Sequence, residues 1–257
     1  MERRVLIAGN WKMNKTPAES ESFARSLLAL EPSTDVDILI VPPFTSLDSL
    51  GKLLGETGIS LGAQDLHFEP DGAFTGAISA GMVLACGCRY VLVGHSERRH
   101  VFGDSSETVA RKLHAALDAD LHAILCIGET LEERRAGDTE NLLDRQLSIA
   151  LADVPSETMT KITVAYEPVW AIGTGETATP EQAEQACASI RSWVASRFDD
   201  AVAQRTRILY GGSVKPGNAA ALLEERDIDG ALIGGASLDV EAFAAIIDAV
   251  RGHGGSR

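Results

Sequence analysis

Ile162-Thr163-Val164-Ala165-Tyr166-Glu167-Pro168-Val169-Trp170-Ala171-Ile172-Gly173-Thr174-Gly175 is followed by Thr179-Pro180, the amphipathic segment Glu181 to Phe198, and then Arg207-Ile208-Leu209-Tyr210. The first run is β-rich and apolar throughout, as expected of a parallel strand covered on both faces. It ends on one carboxylate, which a stiffening proline follows at once. A short apolar segment and two glycines then give a loop with hinges at both ends. Thr179 with Pro180 is a helix start, a cap residue and then proline at the first helical position. A second apolar run closes the unit, so the stretch reads strand, loop, helix, strand.

The same unit recurs in both directions along the chain. Apolar runs lie at Val5 to Ala8, Ile38 to Val41, Ile59 to Leu61 and Tyr90 to Val93, and further on at Ala123 to Ile127 and Ala231 to Ile233. Thr16-Pro17 opens a helical segment from Ala18 to Leu30, and Ser213 and Ser237 lie just ahead of two further helical patterns. Eight strands alternating with helices over roughly 250 residues is the rhythm of an α/β chain closed into a single (β/α)8 barrel. No linker or composition shift divides residues 1–251, and the glycine-rich tail 252–257 is expected to fray. A doubly wound open sheet would place a glycine-rich fingerprint after its first strand, where this chain has Gly9-Asn10-Trp11-Lys12.

Composition narrows the function classes. The 257 residues are 45% hydrophobic and 23% charged, an ordinary globular balance. No run approaches the ~18 apolar residues of a membrane span. The start shows no signal-peptide core, which leads to the expectation of a cytoplasmic protein. A net charge of −14 argues against nucleic acid or an anionic membrane as partner, but not against a small anion held by local N–H groups and a lysine. Cys86, Cys88, Cys126 and Cys187 have neither zinc-ligand spacing nor a disulfide pattern, so reduced and mostly buried thiols are expected. No metal or other cofactor is expected.

The polar residues sit at the strand ends. The first run exits into Asn10-Trp11-Lys12, the fourth into Gly94-His95-Ser96-Glu97, and the sixth into Glu167. His95 falls at or near a helix start, where an imidazole can offer a hydrogen bond to a substrate oxygen. The seventh and eighth runs exit through Gly211-Gly212-Ser213 and Gly234-Gly235-Ala236-Ser237. Two glycine steps ahead of helices after the last two barrel strands form a backbone N–H concavity suited to phosphate. Lysine, histidine and glutamate beside such a cradle point to proton abstraction next to a carbonyl in a small phosphorylated substrate.

The ordered blocks make the chain resemble the triosephosphate isomerase family along nearly its whole length. They include Gly9 to Asn14, Gly62-Ala63-Gln64-Asp65, Gly72-Ala73-Phe74-Thr75-Gly76, Val93 to Arg99, and Cys126-Ile127-Gly128-Glu129. Ala165 to Gly175, Tyr210 to Val214, and Gly234 to Ser237 complete the set. The resemblance implies a TIM barrel that interconverts D-glyceraldehyde 3-phosphate and dihydroxyacetone phosphate. Glu167 would shuttle the proton through a cis-enediol(ate) and a neutral His95 would act as electrophile, roles for which this family is itself a standard illustration.

Asn10 and Lys12 would hold substrate oxygens and phosphate charge, and N–H groups of Gly173, Ser213, Gly234 and Gly235 would grip the phosphate. Ile172 and Leu232 would desolvate the glutamate, Tyr210 would latch the lid near Ala178, and Ser96 and Glu97 would support the site. Ala63 to Gly81 resembles a loop that enters a neighbouring subunit, with Phe74 and Thr75 at its tip, which implies a homodimer.

Three departures stand out. Glu176 occupies a lid-hinge position where the family commonly has lysine, Ala77 replaces a frequent glutamate of the interface loop, and Asp104 stands where glutamate is common. Two rival readings are an isomerase for a larger phosphosugar and a barrel that binds phosphate without catalysis. The short lid argues against the first, and the presence of both Glu167 and His95 against the second.

Overall fold

A computed structural model of the chain describes residues 3–172 and 177–250. Gly173, Thr174, Gly175 and Glu176, and with them the expected phosphate ligand and the altered hinge charge, lie outside the described residues, as does the 252–257 tail. In chain order the first half comprises β1 (Leu6–Asn10), α1 (Pro17–Ala29), β2 (Asp37–Val41), α2 (Leu47–Leu54), β3 (Ile59–Ala63), α3 (Ala80–Ala85), β4 (Tyr90–Val93), α4 (Ser96–His100) and α5 (Ser106–Asp118). The second half comprises β5 (His122–Ile127), α6 (Leu131–Arg135), α7 (Thr139–Ala150), β6 (Ile162–Tyr166), α8 (Pro180–Arg197), α9 (Asp200–Ala203), β7 (Arg207–Tyr210), α10 (Pro216–Leu223), β8 (Gly230–Ile233) and α11 (Val240–Asp248).

The strands pair in parallel from β1 round to β8, and β8 pairs back onto β1, closing the barrel. The expected (β/α)8 architecture is therefore present, with strand bounds within two residues of those read from the apolar runs. Two helix starts differ from expectation. Helix α10 begins at Pro216 after Lys215 rather than directly after Ser213, and α11 is capped by Asp239, whose side chain accepts from the Ala242 N–H.

Alternation along each strand divides the core in two. Leu6 and Ala8, Leu39 and Val41, Leu92, Ile124 and Cys126, Ala165, Leu209 and Leu232 fill the barrel interior. The intervening residues, such as Ile7, Ile38, Ile40, Val91 and Val164, pack outward against the helices. This parity has a consequence for the site. Asn10 continues the inward series of Leu6 and Ala8, and Glu167 continues that of Ala165, so both point inward at the strands' C-terminal rim.

The opposite end of the barrel is tied by charge. Asp229, fully buried just before β8, accepts from Arg3 Nε at 2.6 Å, Arg191 Nη2 at 2.6 Å and the Ile208 N–H at 2.9 Å. Arg191 reaches there from α8 and also donates to the carbonyls of Ala203 (2.7 Å) and Thr206 (2.9 Å) and pairs with Asp227. One guanidinium thus joins α8, the segment before β7 and the start of β8.

Candidate active site

The rim of the barrel opens into a cavity of about 530 Å³, lined by Asn10, Lys12, His95, Glu167, Ile172, Gly212, Ser213, Lys215, Leu232, Gly234 and Gly235, among others. All the expected polar and apolar site residues within the described part of the chain meet in or beside this cavity. They come from the ends of β1, β4, β6, β7 and β8, far apart in sequence.

Glu167 is the most constrained of them. Its N–H donates to the Ile127 carbonyl at 2.7 Å. Its side chain packs so closely on the next strand exit that a Cβ at Gly211 would lie 2.8 Å from Glu167 Cγ and 3.1 Å from the Tyr166 carbonyl. Gly211 is therefore needed for the close approach of the glutamate, a steric role beyond the phosphate turn that its sequence suggests. The carboxylate is only 2% exposed. Its Oε2 accepts the Ser96 N–H at 2.7 Å, at the start of α4. Its Oε1 lies 3.1 Å from His95 Nε2, yet has no aligned hydrogen-bond donor among the described residues. Buried acceptors left in this state are rare and concentrate where chemistry is done. Beneath it sits Cys126, whose thiol is pushed well above its ordinary range by burial and by the neighbouring Glu167 charge, and so stays protonated.

His95 would face away from the interior if β4 simply continued, since Val91 and Val93 point outward. The chain turns at Gly94, whose φ of +72° is a conformation that side-chain-bearing residues rarely adopt. Arg99 holds that turn by donating to the carbonyls of Gly94 (2.8 Å) and Cys126 (3.1 Å). His95 then caps α4, with Nδ1 accepting the Glu97 N–H at 3.2 Å. An Nδ1 that accepts carries no proton, so the imidazole proton sits on Nε2, facing the cavity.

Lys12 holds a backbone φ of +53°, uncommon for a non-glycine residue. Three contacts hold it there: the Lys12 N–H donates to Asn10 Oδ1 at 3.0 Å, and Gln64 Nε2 donates to the carbonyls of Lys12 (2.8 Å) and Val41 (3.0 Å). The Lys12 ammonium pairs with Glu97 at 2.7 Å and lies beside Gly234, so it spans the distance between the β4 and β8 exits.

The segment after Glu167 is anchored from below. Glu129, fully buried, accepts from Tyr166 Oη at 3.0 Å, Trp170 Nε1 at 2.9 Å and Arg134 Nη1 at 3.3 Å, and the Arg134 guanidinium lies 4.5 Å from the Trp170 ring centre. Burial, reinforced by the Glu129 charge, raises the Tyr166 hydroxyl well above its usual range, so it remains a donor. Tyr210 is buried against Gly212, and burial pushes its pKa up to about 12, with the Ala178 backbone acting in the opposite sense. The Tyr210 hydroxyl is buried and has no aligned hydrogen-bond partner among the described residues.

Sequence reasoning named the residues that face the cavity but not all of those that hold them. Gln64, Arg99 and Glu129 lay within quoted blocks without a role, and Arg134 lay outside them, because their partners are groups that only the folded chain brings near. Lys215 was not singled out at all. Asp104, although shorter than the usual glutamate, still accepts from Lys112 at 2.7 Å and from Arg98 Nε at 3.1 Å.

The whole-chain comparison agrees with this geometry. The family model described as triosephosphate isomerase matches residues 5–250. The chain belongs to the triosephosphate isomerase family. It is 52% identical over 246 residues to the triosephosphate isomerase of Syntrophotalea carbinolica, covering 95% of this chain and 98% of that one. It is 48% identical over 246 residues to that of Alkaliphilus metalliredigens, covering 96% and 99%, and 48% identical over 250 residues to that of Rhodopirellula baltica, covering 97% and 98%. The chain thus spans essentially the full length of these triosephosphate isomerase relatives, and the cavity lies wholly within the matched residues. Among the described residues no helix is long and apolar enough to cross a membrane.

Proposed function

We propose that the cavity interconverts D-glyceraldehyde 3-phosphate and dihydroxyacetone phosphate, as an aldose–ketose isomerase serving glycolysis and gluconeogenesis in the cytoplasm. The observation that carries the reading is the buried Glu167 carboxylate, whose Oε1 has no aligned donor and faces a protonated His95 Nε2 at 3.1 Å. Glu167 takes the proton from the carbon next to the carbonyl, and His95 Nε2–H hydrogen-bonds the carbonyl oxygen as negative charge develops there. The resulting cis-enediol(ate) is reprotonated on the adjacent carbon by the same glutamate. Only protons move, and no cofactor takes part.

Asn10 and Lys12 hold the substrate's oxygens and phosphate charge, and N–H groups of Ser213, Gly234 and Gly235 cradle the phosphate. Gly173 belongs to the same proposal, by resemblance alone. Ile172 and Leu232 line the cavity beside the carboxylate and keep water from it. Ser96 holds Glu167 in place, Glu97 orients both Lys12 and His95, and Tyr210 latches the segment near Ala178.

The deciding experiment is a coupled isomerisation assay on D-glyceraldehyde 3-phosphate, together with titration of phosphoglycolate, a mimic of the enediolate. Turnover, with phosphoglycolate bound at least about a hundredfold more tightly than substrate, is the expected result. No turnover, or equal affinities, would remove the proposal.

The same reading makes the protein a homodimer. The loop between β3 and α3 closes at its base through the His67 N–H to the Ile78 carbonyl (2.8 Å), and Phe74, 44% exposed, stacks on His67 at its tip. Met13, Met82, Val101 and Phe102, also exposed, lie in the segments that follow β1, β3 and β4. Exposed apolar side chains in these segments support an interface. Arg98 is engaged within its own chain by Asp65 and Asp104, as expected where Ala77 offers it no carboxylate. Sedimentation equilibrium is expected to give twice the chain mass, and a monomer at micromolar concentration would count against the interface.

A further inference from the structure

Two lysines line the cavity, Lys12 and Lys215. Their electrostatic situations differ. Lys12 carries its own counter-ion, Glu97, at 2.7 Å, so it faces the cavity as one half of a neutralised pair. Lys215 is exposed, precedes Pro216 at the start of α10, and makes no ion pair among the described residues. Of the charged groups that the described residues place on the cavity wall, it is the cation without an ion-pair partner, while Glu167 adds a negative charge at the floor. The surrounding protein opposes an anionic substrate, because the chain as a whole carries −14. A phosphate dianion approaching such a surface meets net repulsion unless a cation near the mouth reverses the sign there.

We infer that Lys215 is a capture residue, one that draws the phosphate of the substrate to the cavity mouth and delivers it to the cradle of Ser213, Gly234 and Gly235. The inference rests on the isomerase reading of this cavity, and gives that reading an entry step. Its action is long-ranged and solvent-screened. Hence Lys215 speeds association and sets kcat/KM, whereas the bound substrate is held by the cradle and Lys12, so kcat does not depend on it. Its place two residues after Ser213 in the β7 exit fits this role, since the turn that forms the cradle also carries the lysine to the rim.

The test compares the wild-type protein with Lys215→Met, Lys215→Arg and a control, Lys52→Met. Lys52 is exposed on α2, paired with Asp48, and removes the same net charge away from the cavity. At about 10 mM ionic strength, where the screening length is roughly 30 Å, Lys215→Met is expected to lower kcat/KM about three- to tenfold with kcat unchanged within twofold. The deficit should shrink towards nothing near about 1 M salt, where the screening length falls to roughly 3 Å. Lys215→Arg should retain wild-type values, as should Lys52→Met.

An unchanged kcat/KM in Lys215→Met overturns the inference. So does an equal loss in Lys52→Met, or a loss confined to kcat. A wild-type protein that turns over neither triose phosphate defeats the isomerase reading instead. Titration with inorganic phosphate at low salt then judges the lysine by itself. Weaker binding in Lys215→Met than in wild type and Lys52→Met sustains the capture role, and equal binding ends it.

Discussion

Glu167→Asp lowers kcat for triose phosphate isomerisation by about a hundredfold or more, with little change in KM. The size of the effect follows from how tightly the glutamate is framed. Its backbone is fixed by the hydrogen bond from its N–H to the Ile127 carbonyl, and a Cβ at Gly128 would lie only 1.8 Å from the Glu167 carbonyl. Its side chain is packed against Gly211, and its carboxylate is held by the Ser96 N–H. A chain one methylene shorter withdraws the reactive oxygen by about 1 Å, and the frame prevents the backbone from moving to compensate. In the proposed site, substrate affinity would reside in the β7 and β8 exits and in Lys12, which the change does not touch. Coupled turnover of the purified variant, with an unchanged thermal transition as evidence of folding, measures the loss. A kcat within tenfold of wild type would mean that Glu167 is not the base.

Arg191→Met destabilises the fold by about 3–5 kcal/mol, because it leaves buried charge and buried carbonyls without their donor. Asp229 keeps Arg3 and the Ile208 N–H, but loses one of its two guanidinium partners. Asp227 loses its pairing with the guanidinium, and the carbonyls of Ala203 and Thr206 lose their donors altogether. Methionine fills much of the volume, so the loss is electrostatic rather than a cavity effect. Urea unfolding should show a lower midpoint with an unchanged slope, and the melting temperature should fall by roughly 10 °C. Below the transition kcat should remain near wild type, since this network closes the end of the barrel opposite the cavity. A midpoint shift of less than 1 kcal/mol would show that the carboxylates are accommodated in another way. A large loss of kcat in the folded variant would show that the two ends are coupled.

The sequence was informative where the physics is local or periodic. Continuous apolar runs marked the buried parallel strands, and Thr16-Pro17 and Thr179-Pro180 marked α1 and α8 to within one residue, because caps act through their nearest neighbours. In α10 and α11 the starts were placed early. Ser213 and Ser237 resemble caps, but Ser213 belongs to the loop on the cavity wall, and Ser237 donates to the Gly234 carbonyl inside a short 3-10 turn. Their competing partners are set by the site, not by helix propensity.

From the residues by themselves came the barrel, the set Asn10, Lys12, His95 and Glu167 at strand ends, and the glycine turns of a phosphate cradle. Continuous apolar runs do not show which residues face the interior; the alternation of the folded strands turns Asn10 and Glu167 inward. Tertiary structure decided the rest. The Gly94 turn brings His95 round to Glu167, and the Glu97 N–H places the imidazole proton on Nε2. Gln64 keeps Lys12 in its strained backbone state, Gly211 leaves room for the base, and Arg191 locks the far end of the barrel. Lys215 reaches the cavity only because β7 delivers its exit loop there. Each of these depends on contacts between segments tens to hundreds of residues apart. A pattern of period two or 3.6 records which way a side chain points, but not which distant group it will meet.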